Sequence, residues 1–395
     1  MKNDYSIDLS NISNELSLLL EILKTGNNDS ISLLKHEFFK EIDWDLFLDL
    51  SIHHRVFPLI YNKIIKLDDK SIPQHVINTL YLEYKKNTFQ MLHLCGEMEQ
   101  VNTLFTENKV RLLFLKGPII AADLYGEISH RTSKDLDILI PITDIEKAEK
   151  LLKNAGYERE NGPTAFMGDW KWRYHHVAYF HPLKKIQIEL HWRQHPFPSK
   201  EPSFNELWDR KRISLLTKNP LFYLGKEDLF LYLITHGARH GWFRLRWLVD
   251  IDIMLRKGIN LKSNNFNMRK YGKYSIVGQA MILSSNLLNT PIDFGFIKLK
   301  EVKSSKKLAQ SAIYFINGIS SLQTIASTKY FHRYLFSLKS NSQKVFSILI
   351  LFYPTNVDAE TVVLPKSLHF LYFLLRPFLS VWRKSRKICT NSTSK

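Results

Sequence analysis

The chain has 395 residues, enough for two or three domains around a sizeable core, and 45% apolar with 24% charged content excludes a disordered or fibrous protein. Lys plus Arg total 55 against 38 Asp plus Glu, a net charge of +17 that favours nucleotides, nucleic acid or anionic lipid as partners; lysines spread over solvated helix faces are the commoner source of such an excess. Two cysteines, Cys95 and Cys389, leave no basis for a disulfide framework or a cysteine zinc site. The first twenty residues lack a signal-peptide pattern, and the longest strongly apolar run, 345–353, is too short to cross a bilayer, so the expected location is the cytoplasm.

Residues 10–108 read as helical. Leu16, Leu19, Leu20 and Leu23 share one face, the polar stretch 26–30 breaks the run, and Asp43 is placed to cap a helix carrying Leu46, Phe47 and Leu50. Pro58 lies early in the next segment. Pro73 opens a long run in which only Gly96 interrupts, giving one or two long helices. Tyr81, Tyr84 and Lys85 either face a site or, more commonly for such residues, serve core and surface.

The next stretch, RLLFLKGPIIAADLYGEISHRTSKDLDILIP (111–141), organises the chain. It reads as a buried strand at 112–115, a turn at Lys116-Gly117, a short helix, a polar loop and a second strand. On that strand Asp135 and Asp137 point to one face while Leu136 and Ile138 enter a core. Two carboxylates so close repel unless a cation lies between them, and Mg²⁺ is commonly held by carboxylates together with substrate phosphates. A glycine turn opening a helix lets backbone N–H groups approach an anion. Phosphate cradle plus carboxylate pair points to phosphoryl or nucleotidyl transfer.

Residues 144–155 read as an amphipathic helix ended by Gly156, and 161–171 as a loop. Two strands follow, 174–181 and 185–192, joined by a hairpin turn. On the second, Ile186, Ile188 and Leu190 face one way and Gln187, Glu189 and His191 the other. Charge on one strand face commonly means only solvent; the Asp-Leu-Asp upstream makes Glu189 a candidate third carboxylate. From 205 onward the pattern is helical, with a break near Gly241. His236 and His240 share a helix face, but the HExxH glutamate is missing, so packing is their default role, a substrate pocket the second, and zinc the last. Asp250 and Asp252 point apart on a helix and make a poorer metal pair. The aromatic helix near the C-terminus, followed by RKSRK, is expected to dock on the domain, with peripheral membrane contact as the alternative; Pro377 should kink it, and 389–395 should be loose.

The full set, LKGPIIAADLYGEISHRTSKDLDILIP, HHVAYFHPLKKIQIELHW and the segment 236–250, resembles the bacterial family of uncharacterised nucleotidyltransferases within the DNA polymerase beta superfamily. The resemblance implies an α+β fold, a small mixed sheet (109–215) flanked by helical regions (1–108 and 216–395). It also implies Mg²⁺-dependent transfer of a nucleoside monophosphate from an NTP to an acceptor hydroxyl, releasing pyrophosphate. It places Lys116 and Gly117 at the phosphate-contacting turn, Asp135 and Asp137 at the metal pair, and Glu189 at the third carboxylate, a set that would hold two Mg²⁺. Arg131 and Lys134 precede the Asp strand, where they either meet the triphosphate or serve the surface; His176 and His191 line the acceptor pocket or are structural. The superfamily's usual Gly-Ser is here Gly117-Pro118, and proline offers neither hydroxyl nor N–H, so one phosphate contact must come from elsewhere or be lost. A catalytically degenerate module binding nucleotide or RNA is the alternative, although no RNP, KH or zinc-finger pattern supports nucleic acid. The acceptor, the NTP and the oligomeric state are not encoded in these motifs, because pocket shape decides the first two.

Overall fold

Alternation along Asp135-Leu136-Asp137-Ile138-Leu139 builds the central strand, with Leu136 and Ile138 fully buried on one side and the two carboxylates on the other. The computed structural model describes residues 5–24, 41–67, 71–160, 169–259, 268–292, 299–318 and 325–392. Its sheet has seven strands: β1 (Leu113–Phe114), β2 (Asp135–Leu139), β3 (Glu158–Arg159), β4 (His176–His181), β5 (Ile186–His191), β6 (Arg212–Ser214) and β7 (Leu221–Tyr223). They lie in the order β3-β4-β5-β2-β1-β7-β6. Strand β2 runs antiparallel to β1 and parallel to β5, and β1 runs parallel to β7, so the sheet is mixed and the fold is α+β, as expected.

Strands β6 and β7 were not expected, since everything after 205 reads as helix. Three residues are too few to show alternation, and these strands exist because β7 pairs with β1 and β6 with β7. Strand β1 is also shorter than the 112–115 expected, although Leu115 N–H still donates to the Asp137 carbonyl at 2.9 Å.

Asp43 caps the helix Trp44–His53 as anticipated, accepting from the backbone of Asp45 at 3.1 Å and of Leu46 at 3.0 Å. The long run after Pro73 is a single helix, Gln74–Glu107, 34 residues long. A mid-helix glycine costs about 1 kcal/mol relative to alanine, which burial of Met91, Leu94, Met98 and Val101 around Gly96 outweighs. The polar break at 26–30 lies outside the described residues, as does most of the loop at 161–171. The end of that loop enters a one-turn helix, Trp170–Arg173. The helices Lys226–Arg239 and Leu245–Arg256 part at Gly241, whose φ of +63° and tight approach to Phe315 exclude a side chain there.

At the C-terminal end, Asp358 accepts from Arg376 (2.9 and 3.0 Å) and Arg383 (2.6 Å), fastening the helix Tyr372–Ser392. That helix runs through Pro377 and through most of the residues expected to be loose; 393–395 lie outside the described residues. Docking covers only part of it, for Phe373, Leu374, Phe378, Val381 and Trp382 are exposed, as are Phe346 and Leu349 nearby. No described helix is long and apolar enough to cross a membrane.

Candidate active site

Parallel pairing of β2 with β5 puts Asp137 directly opposite Glu189, so both carboxylates leave one face of the sheet side by side. Their backs are packed: Leu136 pairs with Ile188, and both are fully buried. His191, two residues beyond Glu189, projects to the same face and completes the group. Its Nε2 lies 3.2 Å from Glu189 Oε2 and 3.3 Å from Asp137 Oδ1. From the neighbouring β4, His176 stacks on His191 with ring centres 4.8 Å apart and brings Nε2 to 3.9 Å from Glu189 Oε1.

The turn after β1 supplies the cation. Lys116 Nζ sits 2.8 Å from Asp137 Oδ1. Gly117 has φ +96° and ψ −156°, a backbone state that disfavours any side chain, and it opens the helix Pro118–Tyr125. A Cβ at Gly117 would meet only Leu136 at 3.6 Å, so backbone angle and not crowding demands the glycine.

Electrostatics follow from this packing. Burial alone would raise the Asp137 pKa, but Lys116 and His191 outweigh it and hold the carboxyl well below the usual range. Burial disfavours the His191 imidazolium, yet hydrogen bonds to Asp137 and Glu189 raise its pKa above the ordinary value. Asp135 is pushed up to about 6 by burial and then by the charge on Asp137. His176 is brought down to about 4 by burial and by His191.

Two trios among the described residues bring potential ligand atoms within 4.8 Å of one another: Asp137, Glu189 and His191, and His175, His176 and His191. Asp135 belongs to neither. It shares the face and feels both acids, but the third donor beside Asp137 and Glu189 is His191, which the sequence had assigned to an acceptor pocket or a structural role. The donor set suits a divalent cation, since carboxylate oxygens accommodate Mg²⁺ and Mn²⁺ and imidazole favours the transition metal. The other Asp137 oxygen, Oδ2, is buried without a hydrogen-bond partner in a side chain that is fully buried, which a metal ligand would satisfy.

The remaining expected site residues divide. His236 and His240 come to this face: burial lowers both imidazole pKa values, His240 to about 4, and Lys116 contributes to each shift. Their rings lie against Trp247, with ring centres 5.2 Å from each. Lys134 is exposed at the entrance to β2. Arg131 turns away. Its guanidinium is 1% exposed and grips Asp250, with Nε at 3.0 Å from Oδ1 and Nη2 at 3.0 Å from Oδ2. Arg246, which sequence reasoning passed over, donates to the Thr132 carbonyl and hydroxyl, fixing the loop ahead of Asp135. No local pattern marked Arg246 out from the other basic residues of its helix.

Carboxylates on adjacent strands of a mixed sheet, beside a glycine turn that opens a helix, are the arrangement expected of a nucleotidyltransferase. The family comparison agrees: the model of a family described as uncharacterised nucleotidyltransferase matches residues 40–289, and the chain belongs to that family. No curated protein and no solved structure matches.

Proposed function

We propose that this protein transfers a nucleoside monophosphate from an NTP to an acceptor hydroxyl, releasing pyrophosphate, by the divalent-metal chemistry of the DNA polymerase beta superfamily. The observation that carries the reading is the Asp137–Glu189 register, set beside Lys116 and the Gly117 turn. Asp137, Glu189 and His191 would hold Mg²⁺ or Mn²⁺, with Asp135 on the same face. When bound, the metal neutralises charge on the α-phosphoryl group and lowers the pKa of the acceptor hydroxyl. Lys116 keeps a positive charge at the turn where Pro118 removes a hydroxyl and an N–H. Glu189 is the half-buried carboxylate of the pair and accepts the acceptor's proton at Oε1, the oxygen that faces His176.

The test is pyrophosphate release from each NTP with Mg²⁺ or Mn²⁺ and an acceptor screen, with mass spectrometry for a nucleotidylated product. Asp137→Asn and Glu189→Gln should each lower release by roughly a hundredfold or more with circular dichroism unchanged. Full activity in both variants removes the site assignment. Nucleotide binding with no release across a broad acceptor screen supports instead a binding module that has lost catalysis.

A further inference from the structure

Pro118 leaves a phosphate contact to be made elsewhere, and Arg131 is committed to Asp250. Beside Asp135, however, a cavity of about 510 Å³ is lined by Arg55, Lys86, Lys134 and Arg244, within the size range of small-ligand pockets. Glu83 is the one carboxylate in its lining, and it is taken by Lys86 at 2.5 Å. Arg55, Lys134 and Arg244 have no ion-pair partner among the described residues.

Three segments distant in sequence are stitched together to form this wall. His53 Nε2 lies 3.1 Å from the Phe243 carbonyl, and Arg244 Nη1 donates to the His53 carbonyl at 2.6 Å. Leu245 N–H donates to His54 Nδ1 at 3.3 Å, and Arg246 N–H to the His54 carbonyl at 3.2 Å. The third segment, the loop before β2, is held by Arg246 on Thr132 and by Asn87 Nδ2 on the carbonyls of Ser129 (2.8 Å) and Arg131 (3.3 Å). Arg55 itself has a φ of +55°, rare for a residue with a side chain and retained only where surroundings enforce it. The cations also feel one another: Arg55 lowers the pKa of Lys134, and burial and then Arg55 bring Arg244 down to about 10.

We propose that this cavity is the cradle of the nucleotide's polyphosphate tail, with Arg55, Lys134 and Arg244 making the contacts that the Gly117-Pro118 turn cannot. Three like charges in one hollow repel until an anion enters, and an anion of several charges fits better than a base or a lipid chain, because three cations without an ion-pair partner among the described residues line it. The identity of the ligand rests on the transferase reading; the anion site rests on the cavity alone.

The experiment is calorimetric titration of the full chain with inorganic tripolyphosphate and, separately, with an equimolar mixture of nucleoside monophosphates. Arg55→Ala and Lys134→Ala should each weaken tripolyphosphate binding by about tenfold, as expected for loss of a charge-assisted contact, and monophosphate binding less than about twofold. Circular dichroism checks the fold, and Arg55→Lys should recover part of the loss. The proposal is overturned if the wild-type protein does not bind tripolyphosphate, if both folded variants keep wild-type affinity, or if the two ligands lose affinity equally. Pyrophosphate release that needs Asp137 but ignores Arg55 and Lys134 leaves the transferase standing and removes the cradle. Tripolyphosphate binding that needs Arg55 and Lys134, with no release from any NTP, does the reverse.

Discussion

Replacing Asp250 by Ala asks whether Arg131 is a structural cation. The Arg131 guanidinium and the Asp250 carboxylate are both within 1% of complete burial, and Asp250 Oδ1 also accepts from Tyr125 Oη at 2.7 Å. Burial disfavours charge on Arg131, but Asp250 more than restores it, so its pKa lies above the ordinary value. Removing one partner of such a pair leaves an uncompensated buried charge and costs about 3–5 kcal/mol. The double variant Arg131→Met with Asp250→Leu removes both charges at similar volume and should return most of that loss, because a buried ion pair and an apolar pair are often close in energy. Urea unfolding followed by tryptophan fluorescence and circular dichroism gives the differences. Asp250→Ala losing less than about 1 kcal/mol, or a double variant no more stable than the single one, would refute the reasoning. A folded double variant that loses nucleotide affinity would return Arg131 to the phosphate contact first expected of it.

Other outcomes follow from the same geometry. Burial holds the His54 imidazole pKa at about 3, against an ordinary value near 6.5. The unfolded chain therefore binds the extra proton between those values: His54's contribution is full above pH 6.5 and is lost as pH falls towards 3, an amount on the order of a few kcal/mol. Urea midpoints of the wild-type protein should fall more steeply below pH 6.5 than those of His54→Gln; parallel profiles would sink this account. Gly117→Ala should cost roughly 1–2 kcal/mol through its positive φ, whereas Gly96→Ala, in a helix with open space around the new methyl, should stabilise by about 0.5–1 kcal/mol; thermal denaturation of the pair gives both signs. Because His191 stands beside the two carboxylates, Mn²⁺ should bind more tightly than Mg²⁺ in calorimetry. His191→Ala should weaken Mn²⁺ by about tenfold and Mg²⁺ by less, and equal losses would place the imidazole outside the metal's reach.

Local pattern determined a good deal of this protein. Alternation in Asp135–Leu139 and Ile186–His191 assigned a core face and a chemical face to each strand, and the Asp43 cap and the glycine at 241 marked helix boundaries that the fold contains. A period of two says which side a residue faces and nothing about which strand lies alongside. Only tertiary pairing set Asp137 against Glu189, made His191 rather than Asp135 their nearest third donor, and gave β6 and β7 the partners without which three residues are no strand. Charge behaves the same way: Arg131, Lys134 and Arg244 look alike along the chain. Burial against Asp250, 119 residues away, makes the first a structural ion, while the other two line a pocket with Arg55 and have no ion-pair partner among the described residues. Desolvation and the identity of the neighbour fix what a charge does, and both are properties of the folded packing.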